Sequence, residues 1–394
     1  MNHSSINWPD DLSEKVFKQK YWQQKPVLVR NLFSKDIVKN PPITHSEILR
    51  ISQTDFVPTK CVYKGRAWHV ENGPLAPTFL KKIESNCWTI LIDKINTQLT
   101  YADRFFHLFN FIDLFRLKDL MVSLSNKGGG VGPHFDSYDV FLVQAYGQKL
   151  WQLSSRFDRT FTNNPDMKIL KNFKPEEELV LNPGDALYLP PNVAHNGIAI
   201  QETSITYSIG LRTPNILDLT DKVFFYHMEN ISFDSDSLLD YNKIKPSTNP
   251  MAFSDQLANR VSSKISNLFP KPEEIKKNLV KSITESDDEI LDRVGNNEIS
   301  FSDFHFLLGK NNLNMNPSMK AIFWKDNFFY NGEELDLSTL SEKQYRIIKT
   351  LLEELIIKRT ISVKSVSRIK SSCILEILFF LYQQNLVTFK HLSI

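Results

Sequence analysis

The spacing of apolar positions changes along the chain, and the changes predict where its layers begin and end. From Leu120 to Arg212 the apolar residues come in short runs, such as Val140-Phe141-Leu142-Val143 and Ser204-Ile205-Thr206-Tyr207, broken by Gly, Pro, Asn and Asp. Short β-branched and aromatic runs between turn formers predict strands, and a close succession of them predicts a small double-sheet barrel or jelly roll. Before this stretch the signals alternate loosely: helical punctuation over residues 9–22 with Pro9 near its start, a short strand over Pro26–Arg30, and mixed elements to about residue 118. After Thr213-Pro214-Asn215 the period lengthens. Ile216–Glu229, Phe253–Asn267 and Pro272–Thr284 carry apolar residues at mixed three and four spacings and predict helices, with a loop at Lys243–Pro250. From about residue 300, Ala321–Trp324 and Asn327–Tyr330 with the turn Asn331-Gly332 predict strands. Helical patterns follow over Glu342–Arg359 and Val363–Gln384, and together these suggest a winged-helix-like unit. The expected class is α+β, divided at 1–214, 215–299 and 300–394.

Composition narrows the function classes. With 394 residues, 41% hydrophobic and 23% charged, the chain can build a sizeable core and two or three domains. Lys plus Arg number 47 against 45 Asp plus Glu, a balance without the sign of a nucleic-acid binder. From Phe301 onward the count is 12 Lys or Arg against 9 Asp or Glu, so direct nucleic-acid binding by the winged-helix-like part is not expected either. Cys61, Cys87 and Cys373 are odd in number and far apart, which fits neither a disulfide framework nor a metal-ligand spacing. A reducing, cytoplasmic setting is expected, with no signal peptide at Met1–Pro9. The apolar run Ile374–Tyr382 is too short for a membrane span and contains Glu376.

The chemistry is concentrated in His134-Phe135-Asp136, with His195 lying 59 positions beyond Asp136. On an extended strand, residues i and i+2 share a face about 6.5 to 7 Å apart, so His134 and Asp136 can converge on one ion while Phe135 turns away. His195 follows the turn Asn182-Pro183-Gly184-Asp185 and the apolar run Ala186–Pro190, so it can arrive on a neighbouring strand. Two histidines and one carboxylate on one face of an octahedron are the ligand set of a non-haem Fe(II) site with open positions. A lone His-x-Asp also occurs at surfaces and in cores. The glycine-rich approach Lys127–Pro133 favours a site, because it lets backbone come close to a ligand.

Several stretches carry a family resemblance: Ser123-Leu124-Ser125 through Asp139-Val140-Phe141, the Asn-Pro-Gly-Asp turn, Leu189-Pro190-Pro191-Asn192 before His195, and Tyr207–Arg212. These resemble the JmjC-type cupin oxygenases, and more closely the bacterial ribosomal oxygenases. Asn7-Trp8-Pro9-Asp10, Lys25–Leu28 and Tyr330–Glu333 extend the likeness towards both ends. The resemblance implies a double-stranded β-helix core, a helical dimerisation region and a homodimer. It also implies dependence on Fe(II), O2 and 2-oxoglutarate, with hydroxylation of an arginine in a large-subunit ribosomal protein, the sixteenth. His134, Asp136 and His195 would hold the metal. Lys149, in the otherwise apolar frame Leu150-Trp151, would pair with the far carboxylate of 2-oxoglutarate, although read alone it could be a solvated strand lysine. Ser123, Thr206, Ser208 and Asn196 are further candidates for the co-substrate side. Tyr138, Asp139 and Gln144 are candidates for the substrate side, where an acid and an aromatic ring suit a guanidinium. Two other readings stay open: histidine hydroxylation on another ribosomal protein, and a non-catalytic metal-binding cupin with an interaction module.

Overall fold

A computed structural model describes residues 6–34, 39–212, 214–229, 251, 253–285, 298–367, 369 and 371–389. The chain divides into two compact units, Met1–Thr213 with Ser286–Lys320 and Leu337–Ile394, and Pro214–Glu285 with Ala321–Asp336.

Among the described residues, the N-terminal part of the first unit is built on twelve strands in chain order. They are β1 (Val27–Val29), β2 (Thr59–Lys64), β3 (Trp68–Asn72), β4 (Cys87–Ile92), β5 (Leu117–Ser125), β6 (His134–Phe135), β7 (Asp139–Tyr146), β8 (Lys149–Ser154), β9 (Glu177–Leu181), β10 (Ala186–Leu189), β11 (Ala194–Ala199) and β12 (Ser204–Leu211). Eight form a large sheet in the order β1-β10-β7-β12-β5-β4-β2-β3, and four form a small sheet in the order β6-β11-β8-β9. Neighbouring strands pair antiparallel in both. The jelly-roll expectation thus describes the centre of this unit.

Strand alternation decides what each face of the large sheet meets. Leu120, Val122 and Leu124 of β5, Phe141 and Val143 of β7, and Tyr207 and Ile209 of β12 are buried in one core. N-terminal segments cover that face. Phe17 packs edge-on to Tyr188 at 4.9 Å between ring centroids, and Phe109 lies 5.2 Å from Phe141. Tyr207 Oη donates to Ile43 O at 2.7 Å and accepts from Ile43 N at 3.0 Å, tying the sheet to the helix His45–Ser52 and its Thr44–Glu47 capping box. The first helix, Glu14–Lys20, starts later than Pro9 because Ser13 supplies its N-cap. Residues on the opposite face, one step out of phase, turn towards the small sheet.

The C-terminal part of this unit has helices Phe301–Leu308, Glu342–Lys358, Val363–Val366 and Ser372–Gln383 around a three-stranded sheet of Thr360–Ile361, Leu313–Met315 and Val387–Thr388. The helix expected over Val363–Gln384 is therefore two, with Ser362 and Ser371 as their N-caps. Arg359, at φ 58° and almost wholly buried, ends the long helix. Its Nε donates to Asp103 Oδ2 at 2.7 Å, and its Nη2 to the carbonyls of Asn316 and Met319 at 3.2 Å. Burial works against an ionised Asp103, but the Arg359 and His107 charges outweigh it and hold the carboxyl below its ordinary range.

The second unit packs the helices Ile216–Glu229 and Pro272–Thr284 with the antiparallel meander Ala321–Trp324, Asn327–Tyr330, Glu333–Leu335, and also contains the helix Asp255–Asn267. Gly332 N donates to Thr284 Oγ1 at 3.1 Å, joining the hairpin to the helix. This grouping differs from the linear division at residues 299 and 300, since the strands that suggested a winged-helix-like unit pack with the preceding helices. The loop expected at 243–250 lies outside the described residues. Ile216, Leu217, Phe225, Phe253 and Phe269 are all exposed.

Candidate metal centre and its cavity

The three candidate ligands meet because β6 and β11 pair with His134 directly opposite His195, while Asp136 follows at i+2 from His134. The His134, Asp136 and His195 donor atoms all lie within 4.8 Å of one another. His195 Nε2 is 3.7 Å from Asp136 Oδ2, a spacing that donors about 2.1 Å from a shared ion can take up with little adjustment. Each imidazole is oriented by its own backbone. Nδ1 of His134 is 2.9 Å from Gly132 O, and Nδ1 of His195 is 3.0 Å from Val193 O. With those nitrogens donating to carbonyls, both Nε2 lone pairs are left for a metal.

Electrostatics favour the same protonation states. Burial, with the nearby His134, pulls His195 down to about 3, so its ring is neutral at ordinary pH. Burial pushes Asp136 above the usual carboxylate range, against the opposing pull of His134, Lys118 and a hydrogen bond from Tyr138. A cation at the site would reverse that desolvation cost.

The ligands open into a cavity of about 600 Å³, mouth included. One wall comes from the small sheet and its approach: His134, Asp136, Lys149, Trp151, His195 and Gly197. The other comes from the large sheet, with Asp119, Met121, Ser123 and Ser208 among its residues. Tyr138 sits near the ligands, its ring 4.6 Å from the ammonium of Lys118.

Two groups in this cavity fit an anionic ligand. Lys149 is buried on β8 and has no ion-pair partner among the described residues; burial alone lowers its pKa to about 8. Trp151 Nε1 is a buried donor without a hydrogen-bond partner among the described residues. Gly197 makes room for both side chains: a Cβ there would lie 2.8 Å from the Trp151 ring and 3.0 Å from Lys149 Cε. Lys149 therefore runs past the Gly197 row of β11, two residues from His195. Two strand residues span about 6.6 Å.

Four of the residues expected here lie off the cavity. Asp139 is one step out of phase with the cavity-lining Val140 and Leu142, and is fully buried on the other face. There it accepts from Tyr188 Oη and from Gln23 Nε2. Gln144 donates to Tyr146 O at 2.8 Å and Ser204 Oγ at 2.9 Å, closing the β7–β8 turn, and accepts from Thr206 Oγ1 at 3.1 Å. Thr206 is thus committed to Gln144. Asn196 is out of phase with His195 and donates to Gln152 Oε1 at 2.9 Å across the small sheet. Of the remaining candidates, Ser123 and Ser208 line the cavity, with the Ser123 hydroxyl donating to Thr206 O at 3.3 Å. Sequence reasoning missed Asp119, Trp151 and Gly197. Counting back by twos from Ser123 along β5 reaches Met121 and Asp119, so the alternation contained the signal.

The fold and ligand arrangement have counterparts among known proteins: residues 104–219 match the model of the JmjC domain. A probable ribosomal oxygenase of Haemophilus influenzae is 33% identical over 228 residues, 56% of this chain and 55% of that protein. The ribosomal protein uL16 3-hydroxylase of Escherichia coli is 32% identical over 217 residues, 55% of each chain. The chain thus spans about half the length of these curated relatives in the matched regions. In overall fold it is similar to the Escherichia coli ribosomal oxygenase YcfD, solved in complex with cobalt and 2-oxoglutarate: TM-score 0.74 at 22% identity, covering 98% of this chain and 100% of that one.

Proposed function

We propose that this chain is an Fe(II)- and 2-oxoglutarate-dependent oxygenase that hydroxylates an arginine side chain of a large-subunit ribosomal protein, the sixteenth. The observation that carries the reading is the convergence of His134, Asp136 and His195 in one cavity with the buried ammonium of Lys149, which has no ion-pair partner among the described residues. With iron and 2-oxoglutarate bound, the site supplies oxygen activation, delivering one oxygen atom of O2 to a substrate C–H bond and the other to succinate, with release of CO2.

The chain's own groups divide the remaining work. His134, Asp136 and His195 would hold the metal. Lys149 anchors the far carboxylate, while Ser123 and Ser208 offer hydroxyls along the cavity. Asp119 takes the role expected of Asp139: its carboxylate and the Tyr138 ring give the cavity groups that pair with and stack on a guanidinium. The name of the Escherichia coli relative supports the ribosomal protein target. A ribosomal target implies a cytoplasmic setting.

The exposed apolar residues of the second unit, Ile216, Leu217, Phe225 and Phe269 among them, support assembly of two copies through its helices. Sedimentation over a broad concentration range tests this, and a monomer throughout overturns it.

The deciding experiment incubates the protein with Fe(II), 2-oxoglutarate, ascorbate and purified ribosomal proteins, followed by fragment mass spectrometry. One added oxygen on an arginine of the sixteenth large-subunit protein is the expected result. An added oxygen on histidine changes the substrate, and failure to form succinate with any ribosomal protein overturns the reading.

A further inference from the structure

The strand that carries His134 is short, and Asp136 follows directly after it. β6 has two residues, lies at the edge of the small sheet and, among the described residues, pairs with β11 alone. So short an edge strand is marginal by itself. Its other side is met by the excursion between β8 and β9, residues 155–176.

That excursion is ordered by its own contacts. Phe161 and Leu170 form a bridge, Thr162 N donates to Ile169 O at 2.8 Å, and Lys171 N to Thr160 O at 2.9 Å. At its base Arg156 Nε lies 3.1 Å from Glu176 Oε1. From this frame it reaches the ligand strand at successive positions. Leu170 N donates to Pro133 O at 2.8 Å. Ile169 and Trp68 fill the space beside Gly132, where a Cβ would meet both at 3.3 Å and where φ is +79°. Phe135, between the two ligands, packs against Phe157 at 5.1 Å and stacks on Phe161 at 5.9 Å. The Arg159 guanidinium lies 4.9 Å from the Phe135 ring, and its Nη2 donates to Asn192 Oδ1 at 3.2 Å. Asn192, in the left-handed region at φ 63°, donates its N–H to Asp136 O at 2.8 Å.

We infer that Arg159 and Asn192 are positioning residues: together with the excursion they bracket His134-Phe135-Asp136 and hold the ligands in metal-binding geometry. None of Phe157, Arg159, Phe161, Leu170 or Asn192 lines the cavity, so the bracket acts on the metal through the ligand backbone and leaves the co-substrate wall alone. This rests on the metal-centre reading above.

The test is calorimetric titration of Mn(II) into metal-free, full-length protein without co-substrate, with thermal unfolding of the same metal-free samples as the folding control. Arg159→Ala and Asn192→Ala should each weaken Mn(II) about tenfold, the lower end of the effect of removing groups that orient ligands. Arg159→Lys, which keeps the charge over Phe135 but not the planar fork, should recover part of the loss. Asn192→Gly, which tolerates the left-handed backbone and keeps the N–H, should bind more tightly than Asn192→Ala. The unfolding midpoint of Arg159→Ala should stay near that of the wild type, because the side chain is exposed. If wild type and variants bind Mn(II) within about twofold of each other, the bracket is overturned and the metal centre stands. A wild type that binds no divalent ion overturns both. Equal loss in Asn192→Ala and Asn192→Gly overturns the role of the left-handed backbone at Asn192 and leaves the effect to its side chain.

Discussion

The two walls of the cavity are built on different logic. The small-sheet wall gathers groups that are costly to bury: a neutral His195, Asp136 raised above its usual range, and Lys149 without a counter-ion among the described residues. The large-sheet wall is milder, with hydroxyls and apolar side chains around one carboxylate, Asp119. Unpaired buried charge destabilises a fold unless a ligand completes it, so the first wall reads as the binding machinery for metal and diacid. The second reads as the surface that chooses the substrate.

Substitutions can break that division, and the largest effect should come from the first wall. Asp136→Ala removes a ligand and should reduce substrate-dependent succinate formation to background, while relief of a desolvated carboxyl leaves the metal-free unfolding midpoint unchanged or higher. Lys149→Met should weaken 2-oxoglutarate about thirtyfold or more in a binding titration, with Mn(II) affinity nearly unchanged. The same variant should stabilise the ligand-free protein by about 2 kcal/mol, since it replaces a buried unpaired ammonium with an apolar chain. A loss of stability there would mean that Lys149 is structurally paired and would blur the contrast between the walls.

Asp119→Asn should raise the substrate KM about tenfold and leave 2-oxoglutarate affinity intact, because it removes one charge-assisted contact. Asp139→Ala sharpens the point. It should lower the unfolding midpoint through loss of the Tyr188 and Gln23 hydrogen bonds, with little change in KM. The smallest effect is with pH. Lys149 titrates near 8 in the ligand-free fold, so 2-oxoglutarate affinity should fall as pH rises through 8, by up to about tenfold per unit. Stability moves the other way. A lysine depressed below its unfolded value of about 10.4 destabilises the fold at pH values below 8, and that penalty fades between 8 and 10.4.

The same contrast explains what the sequence made legible. The convergence of His134, Asp136 and His195 was legible because metal chemistry restricts residue type and spacing together, whereas Lys149 stood out only through the family resemblance, since read alone it looks like a solvated strand lysine. Asp119 was not legible, since an acid beside a lysine at Lys118-Asp119 looks like an ordinary solvated pair. Asp139 has the chemistry that suits a guanidinium but not the position, because a strand turns each successive side chain to the opposite face. Thr206 shows a further limit. It shares the face of Ser208, but a register shift beside Ile205 and the Gln144 carboxamide claim its hydroxyl. In the C-terminal half, the hairpin at Asn331-Gly332 was legible as a hairpin, but its packing partner was not, because three and four spacings do not say which helix covers which strand.

The Asp103–Arg359 pair bears on whether the JmjC segment can live alone. The segment that resembles other JmjC domains ends near residue 219, yet Asp103, at its threshold, owes its ionised state to a guanidinium 256 positions further along the chain. A fragment ending before residue 300 would leave that carboxylate buried with its principal counter-charge gone, a defect that typically costs about 3 to 5 kcal/mol. The segment matched at residues 104–219 is therefore tied to the distal part of the chain through this pair, and deletions that respect that boundary would still remove the counter-charge of Asp103.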